Sequence, residues 1–306
     1  MRVALFCLVL ICWSANCIAQ DSIYNFEKNA VTLKEVVVRS NLNVPAFIKR
    51  VKEDTTFHKA FVNLRVLGYT SINDIRMLDK KGAQQASLQS RTKQEIANHC
   101  RWTKVLEEKS TGDIYDEYKN YNYYTPQLYA SIFFAPDTVC GENNIVAGST
   151  FKVEGKTGIA KHKEQLKMLF FNPGKRIPGL PFIGNKVAIF DKDVAENYDF
   201  IIDMGVHNNQ MCYIFKIIPL ADRRSNIVIN EMTTWFNQDN WEIVARNYDL
   251  SYNAGVYDFD VHIEVEMTKF HEYIVPKVMR YNGNWDIVFK KREKGIFTAT
   301  LFDFRK

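Results

Sequence analysis

Residues Val256–Lys269, VYDFDVHIEVEMTK, alternate apolar and polar side chains over their whole length. One face carries aromatic and aliphatic side chains, and the other carries acids and a histidine. A period of two is typical of a β-strand that turns one face toward a core and the other toward water. This stretch therefore predicts a sheet with one buried face.

The same alternation extends from Met211 to the C-terminus and predicts seven strands joined by short links. Links this short join antiparallel neighbours. Asn282-Gly283 predicts a type I′ hairpin turn, which needs positive φ at both central residues, and Lys294-Gly295 predicts another turn. The strands should form an up-and-down meander, twisted into an open or partial barrel. They are Met211–Pro219, Ile227–Phe236, Trp241–Tyr252, Val256–Lys269, Tyr273–Tyr281, Asn284–Lys291 and Ile296–Phe304.

The N-terminus has the pattern of a secretory signal peptide. Arg2 precedes the apolar run Val3–Trp13, and small residues at Cys17 and Ala19 fit cleavage after Ala19. The run is too short to span a bilayer. We therefore divide the chain into a signal peptide at 1–19, a lead-in at 20–43 and a single β domain with a helical lid at 44–306.

Composition and cysteine usage agree with an exported globular protein. The chain is 46% hydrophobic with a net charge of +5 spread along its length, so nucleic acid is not implied as a partner. Cys100, Cys140 and Cys212 remain after signal cleavage. Cys212 alternates with apolar neighbours and should be a buried small side chain. Cys100 and Cys140 flank an irregular middle region, and we expect them to form a disulfide.

Helical spacing of apolar residues begins after Asn43, a suitable N-cap, and predicts either one helix or two broken near Asp54-Thr55. A second helix is predicted at Gly158–Phe171, and a loop rich in Pro and Gly follows it up to Asn185. That loop is either a lid over a pocket or a loop packed on the core. Further strands are predicted at Arg65–Leu78, Ala86–Thr92 and Trp102–Glu108, with a turn at residues 79–82 between the first two.

The sequence shows no enzyme signature. The six histidines include no H-x-x-x-H or H-E-x-x-H pair, and no nucleophile elbow, phosphate loop or dinucleotide fingerprint occurs. We therefore expect no catalytic activity, no cofactor and no metal. Four acids on the polar face of the strand Val256–Lys269 have the residue types of a paired-carboxylate hydrolase. Alternating acids, however, more often form the solvated face of a strand. These acids are Asp258, Asp260, Glu264 and Glu266.

The C-terminal strands, and the residues at which they end, resemble those of bacterial outer-membrane lipoprotein-sorting proteins. The resemblance lies in a strand that ends in Pro219, a strand that ends in Trp235-Phe236, the following strand through Arg246, and Tyr273-Ile274-Val275-Pro276. It implies a half-closed barrel whose concave face, covered by helices, accommodates acyl chains of a lipoprotein. It also implies a protein that is periplasmic or peripherally attached to the outer membrane, with an outer-membrane or envelope partner.

A second resemblance concerns the lead-in. Leu33–Val38, followed by Asn43–Arg50, is similar to segments of exported Bacteroidetes proteins. It implies a source in that group and supports the assignment to the cell envelope.

Together these observations predict a mainly β (α+β) fold, a curved antiparallel sheet or half-barrel with a helical cover. The predicted function is non-catalytic binding of a lipid or acylated protein. The alternative is an envelope scaffold or interaction module with a filled core, in which a cluster of tyrosines between Ile114 and Tyr129 offers a contact surface. The candidate ligand-binding residues are Phe170, Leu180, Phe182 and Ile183 from the lid and Tyr257, Phe259, Val261 and Ile263 from the sheet.

Overall fold

One open antiparallel sheet of eleven strands organises the chain. The structure is a computed structural model that describes residues 42–135, 137–146, 168–177, 183–223, 227–253, 257–287 and 292–306. The strands are β1 (Gly68–Leu78), β2 (Gln84–Ala97), β3 (Cys100–Thr111), β4 (Val139–Cys140), β5 (Tyr198–His207), β6 (Gln210–Pro219), β7 (Ile229–Asn237), β8 (Ile243–Asn253), β9 (Tyr257–Phe270), β10 (Tyr273–Ile287) and β11 (Glu293–Arg305).

Strand order follows the chain except at one junction. The order across the sheet is β4-β3-β2-β1-β11-β10-β9-β8-β7-β6-β5, and each strand is antiparallel to its neighbours. The first strand therefore pairs with the last, with Gly68 opposite Arg305. The mainly β, antiparallel and unclosed sheet predicted from the sequence is confirmed.

The predicted Asn282-Gly283 turn is wrong, because both residues lie inside the single strand β10. Gly283 pairs with Gly295 on one side and with Val261 on the other, so Lys294-Gly295 is no turn either. A side chain at Gly283 would place its Cβ 1.9 Å from the hydroxyl oxygen of Tyr281. The glycine is therefore required by a tyrosine that lies across it, not by a turn, and Met211 to the C-terminus forms six strands instead of seven.

Among the helices that the structure describes, α1 (Val44–Glu53), α2 (Thr56–Asn63) and α3 (Tyr124–Phe133) cover the inner face of the sheet. The α1 side chain Phe47 contacts Tyr213 on β6, with ring centroids 5.7 Å apart. The α2 side chain Phe57 contacts Tyr248 on β8 at 6.2 Å. Tyr129 of α3 contacts Phe297 on β11 at 4.9 Å. Each helix thus covers a different part of the sheet.

The local signals near the N-terminus are largely confirmed. The Asn43 side chain accepts a hydrogen bond from the backbone N–H of Ala46 at 3.1 Å, and the helix is broken at Asp54. The Asp79–Gly82 turn forms, with the Gly82 N–H bonded to the Asp79 carbonyl at 3.0 Å. β1 begins at Gly68, later than predicted, because Leu64–Val66 forms a 3₁₀ turn. These signals succeed because each depends on residues adjacent in the chain.

Three of the elements named above had no prediction from the sequence. β4 and β5 form the two edges of the sheet, and α3 occupies part of the tyrosine-rich region. The N-terminus of α3 is capped by the carboxylate of Glu293 from β11, which accepts hydrogen bonds from the backbone N–H groups of Tyr124 and Thr125. A negative group is favourable at this position because the first N–H groups of a helix lack partners within it.

The Cys100–Cys140 pair predicted from the sequence is bonded in the structure and joins β3 to β4. Cys212 is buried in β6, as its neighbours indicated. The run Val31–Val38 of the lead-in, whose sequence is typical of a strand, the beginning of the helix predicted at 158–171 and the signal peptide lie outside the described residues. Among the helices that the structure describes, none has the length and hydropathy needed to cross a membrane.

Candidate functional site

The predicted sheet residues of the site lie together on the inner face of β9. Phe259, Val261 and Ile263 are each at most 1% exposed. Their partners on β10 are Trp285, Gly283 and Tyr281, so the aromatic side chains of two neighbouring strands share the same face. The structure does not describe the side chain of Tyr257, although its backbone belongs to β9.

The predicted lid contributes two residues that the structure describes. Phe170 lies in a helical segment that ends at Phe171, and it packs over the sheet with its ring centroid 5.9 Å from that of Trp285. Its carbonyl accepts a hydrogen bond from the hydroxyl of Tyr248 at 2.5 Å. Ile183 is fully buried in the same core. Leu180 and Phe182 lie outside the described residues.

The interior between this sheet face and its cover is occupied by protein side chains. Phe259 stacks on Trp285 with centroids 5.0 Å apart, and Tyr281 stacks on Phe297 at 4.6 Å. Ring contacts at these distances are those of a packed protein core. In the described part of the chain, a ligand at these residues would have to displace the cover or the rings.

One charged residue on the inner face was not predicted as part of the site. Arg246 of β8 is 6% exposed, donates a hydrogen bond to Thr234 Oγ1 at 2.9 Å and lies 4.4 Å from the ring centre of Phe57. Burial lowers its pKa, and the nearby Asp54 carboxylate acts in the opposite direction. The period of two in β8 places Arg246 on the same face as the buried Tyr248 and Leu250, so the alternation was the signal that could have indicated an arginine on the inner face.

A small cavity of about 180 Å³ lies beside the core, where α2, α3 and β3 meet. One wall is apolar and includes Phe61 and Phe171, whose ring centroids are 4.7 Å apart. The other wall is polar. The lining residues are His58, Phe61, Val62, Leu64, Arg65, Tyr69, Arg101, Ser131, Ile132, Glu142 and Phe171.

Two arginines and one glutamate dominate the polar wall. Arg101 forms an ion pair with Glu142 at 2.6 Å and donates a hydrogen bond to Gln94 Oε1 at 3.0 Å. Arg65 approaches the same carboxylate at 3.9 Å, the outer limit of an ion pair. Two positive charges therefore face one negative charge in this wall.

The disulfide fixes the position of this wall. Arg101 follows Cys100, and Glu142 lies two residues after Cys140, so the bond between the cysteines holds the ion pair together. The predicted disulfide could therefore have indicated that these two charges are close in space, although their partner Arg65 comes from a distant part of the chain.

His58 brings an uncharged polar group to the cavity. It is 8% exposed, and burial lowers its pKa to about 4, with a further contribution from the positive charge of Arg65. At neutral pH the imidazole is therefore neutral, and it can serve as a hydrogen-bonding group without adding charge.

Three of the four acids of β9, Asp258, Glu264 and Glu266, belong to ion pairs and hydrogen bonds on the outer face. His262 contacts Asp249 at 2.6 Å and Glu264 at 3.3 Å, while Arg292 pairs with Asp258 at 2.8 Å. This is the solvated strand face expected from the sequence. Within the described residues, no group of three or more metal-ligating side chains is placed to hold an ion. The four acids Asp258, Asp260, Glu264 and Glu266 are intermediate or exposed.

Comparison with known proteins identifies no family. No family model matches the chain, and no curated protein matches it. Among solved structures, a DUF1329 family protein from Desulfovibrio piger is 10% identical, with a TM-score of 0.24 over 82% of this chain and 93% of that one. A protein described as an outer-membrane lipoprotein-sorting domain from Vibrio parahaemolyticus is 8% identical, with a TM-score of 0.27 over 83% and 92%.

A LolA superfamily protein from Nitrosomonas europaea is 7% identical, with a TM-score of 0.23 over 82% of this chain and 93% of that one. Two of these three descriptions name the class that the C-terminal strands resemble. At such identities and scores the likenesses carry no argument about function. They offer no support for the resemblance of the lead-in to Bacteroidetes proteins.

Proposed function

We propose that this chain is an exported, non-catalytic binding protein that holds the acyl chain of a lipid or of an acylated protein against the inner face of its sheet. The observation that carries the proposal is the construction of the cover. In the described residues, the apolar inner face is covered by short separate segments, and α1, α2 and the segment around Phe170 are joined to the sheet by few polar contacts. The proposal retains the predicted signal peptide at 1–19, the lead-in at 20–43 and an envelope location.

The hydrogen bonds that join α2 and the segment around Phe170 to the sheet are few and individually weak. Asn63 at the end of α2 donates a hydrogen bond to the Ile274 carbonyl at 2.8 Å, and the Tyr248 hydroxyl donates one to the Phe170 carbonyl. Each such bond contributes about 0.5–1.5 kcal/mol net. These bonds do not fix α2 and the Phe170 segment permanently. The helix α3 is held more firmly, by the Glu293 carboxylate and by the hydrogen bond from Tyr69 to the Phe133 carbonyl at 2.9 Å.

The apolar contacts of the cover are comparable in free energy to those that an acyl chain would make. Phe47, Phe57 and Phe61 are buried side chains of α1 and α2, and exposing each would cost roughly 1.5–3 kcal/mol. An acyl chain gains about 0.8 kcal/mol for each buried methylene group. A chain of about a dozen methylene groups therefore offsets the displacement of these side chains. Exchange of the cover for a ligand is consistent with this balance.

The packed interior favours a second candidate function, an envelope scaffold or interaction module without a ligand. In this case Phe170 and Ile183 are simply core residues, and the stacked rings of Trp285 and Tyr281 stay in place. The two candidates differ in whether the inner face is ever exposed to an acyl chain.

The test uses two tryptophans on opposite faces of the sheet. Trp285 is 3% exposed on the inner face beside Phe259, whereas Trp235 stacks on His207 at 4.6 Å on the outer face. Two variants of the mature protein retain one of these tryptophans each, with the others replaced by phenylalanine. Both are titrated with 12-bromododecanoate, whose bromine quenches fluorescence at short range.

The proposal expects quenching of the Trp285 protein that saturates with ligand concentration, with little quenching of the Trp235 protein. Native mass spectrometry and organic extraction of the purified exported protein then identify any co-purifying acyl species. A folded protein that is ligand-free after purification and shows equal, unsaturable quenching at both tryptophans would exclude the acyl-binding function and favour the scaffold.

A further inference from the structure

We propose that the cavity between α2, α3 and β3 binds the anionic head group of the lipid, a phosphate or a carboxylate, through Arg65 and Arg101. The inference rests on the proposed function and specifies its ligand as an anionic lipid. In this assignment Glu142 is an internal counter-ion that competes with the head group for the two guanidinium groups.

The position of the cavity suits a ligand with a polar end and an apolar chain. Its apolar wall contains Phe61 and Phe171, which belong to the same buried cluster as Phe170 and Phe259. Its polar wall contains the ion pairs of Glu142. A head group at the polar wall would therefore place the first part of its chain against the core that covers the proposed acyl site.

The charge of the cavity favours an anion. Arg65 and Arg101 supply two positive charges, Glu142 supplies one negative charge, and His58 is neutral at pH 7 because burial lowers its pKa to about 4. One positive charge is left without compensation by these residues. Arginine is well suited to phosphate and carboxylate groups because its planar donors match their oxygens in pairs.

The two arginines are held differently, and the difference indicates which of them a ligand recruits. The Arg101 side chain is 15% exposed and is fixed by Glu142 at 2.6 Å and by Gln94 at 3.0 Å. The Arg65 side chain is 40% exposed and reaches Glu142 only at 3.9 Å. Arg65 can therefore turn toward an incoming anion without breaking a short contact, while Arg101 provides a fixed point.

The cavity has room for such a group. Its volume of about 180 Å³ is large enough for a phosphate or carboxylate group, and Ser131 and the neutral His58 add hydrogen-bonding groups to its wall.

The experiment compares probes that differ only in the head group. Dodecyl phosphate, dodecanoate, dodecanol and inorganic phosphate are titrated into the mature protein by isothermal calorimetry, below the micelle concentration of each amphiphile. Three variants are compared with the native protein. Arg65→Gln removes one of the two guanidinium groups that bind the head group, and Glu142→Gln removes the carboxylate that competes with it. Arg76→Gln is the control. Arg76 pairs with Asp74 on the outer face of β1, away from the cavity. Thermal unfolding verifies that every variant is folded.

Dodecyl phosphate and dodecanoate should bind roughly tenfold more tightly than dodecanol, and this preference should fall as salt rises. Arg65→Gln should reduce the preference about five- to tenfold, Glu142→Gln should increase it by a similar factor, and Arg76→Gln should leave it unchanged. Opposite effects of Arg65→Gln and Glu142→Gln are diagnostic, because loss of a merely structural ion pair would weaken binding in both variants.

Equal binding of all three dodecyl probes, unchanged in every variant, would overturn the head-group site and leave the acyl-binding function standing. Binding of inorganic phosphate that depends on Arg65, with no gain from a dodecyl chain, would show a site for free anions and overturn the assignment to a lipid. Failure of all four probes would overturn this inference together with the proposed function.

Discussion

Acidification should destabilise this protein through His58 before most of its carboxylates are protonated. The folded protein holds His58 as a neutral side chain with a pKa of about 4, because burial and the charge of Arg65 oppose its protonation. In the unfolded chain the same side chain has an ordinary pKa of about 6.5. Between these values the unfolded state binds the extra proton, so stability falls as pH decreases.

The size of the effect follows from the two pKa values. Proton linkage at this single histidine lowers the free energy of unfolding by about 2 kcal/mol at pH 5 and about 3 kcal/mol at pH 4, relative to pH 8. The contribution is fully present above the unfolded pKa and is lost as pH falls through it toward the folded value. The side chain is only 8% exposed, so screening by solvent does little to reduce it.

The assay is urea unfolding at a series of pH values from 8 to 4, followed by circular dichroism. It compares the native sequence with His58→Gln, and with His271→Gln as a control at the exposed β9–β10 turn. Carboxylates contribute equally to all three proteins, so the difference between the native protein and His58→Gln isolates the buried histidine. That difference should shrink by about 2 kcal/mol between pH 8 and pH 5.

A result in which His58→Gln and the native protein lose stability in parallel from pH 8 to pH 4 would refute the reasoning. It would mean that His58 is protonated as readily in the folded state as in the unfolded state. The His271→Gln control should follow the native profile throughout, because it removes an exposed histidine at the β9–β10 turn and leaves His58 in place.

Three further changes should alter stability in ways that chemical denaturation can measure. Replacing Cys100 and Cys140 together by serine should cost about 4 kcal/mol, since the bond closes a loop with a sequence separation of 40; equal unfolding midpoints with and without reductant would contradict this. Glu293→Gln should cost roughly 1–3 kcal/mol through the cap of α3, and an unchanged midpoint would show that the cap is dispensable. Gly283→Ala should lower the free energy of unfolding by about 1–3 kcal/mol, because the added methyl group meets Tyr281, which is stacked on Phe297. Unchanged stability would show that the Tyr281 ring moves aside at little cost.

The sequence predicted best those strands in which apolar and polar side chains alternate. β9 shows this alternation most clearly, because its apolar residues face one continuous core and its acids face water. The start of α1 was equally accessible, since Asn43 and the helix that it caps lie next to each other in the chain. The break at Asp54 was one of two alternatives that the sequence left open. Both signals are local, so they do not depend on how distant segments meet.

The errors arose where distant residues decide the local structure. Gly283 has the sequence of a turn but serves to accommodate Tyr281 within a strand. The helix α3 is capped by Glu293, which is 169 residues away from Tyr124 in the chain. The residue that caps the helix therefore gives no local sequence signal for its start. The cavity likewise combines residues from several elements, and only the disulfide gave a hint that Arg101 meets Glu142.

The pairing of β1 with β11 makes the order of synthesis important. The three strands β1–β3 are complete early, yet the edge of β1 has no neighbour until residues 293–305 have been made. An unpaired strand edge invites pairing with other chains, and such long-range closure is slow. The thirteen residues of β11 thus join the two halves of the sheet. Loss of them through a premature stop or a proteolytic cut would leave two separate sheets with open edges, not a slightly shorter version of this protein.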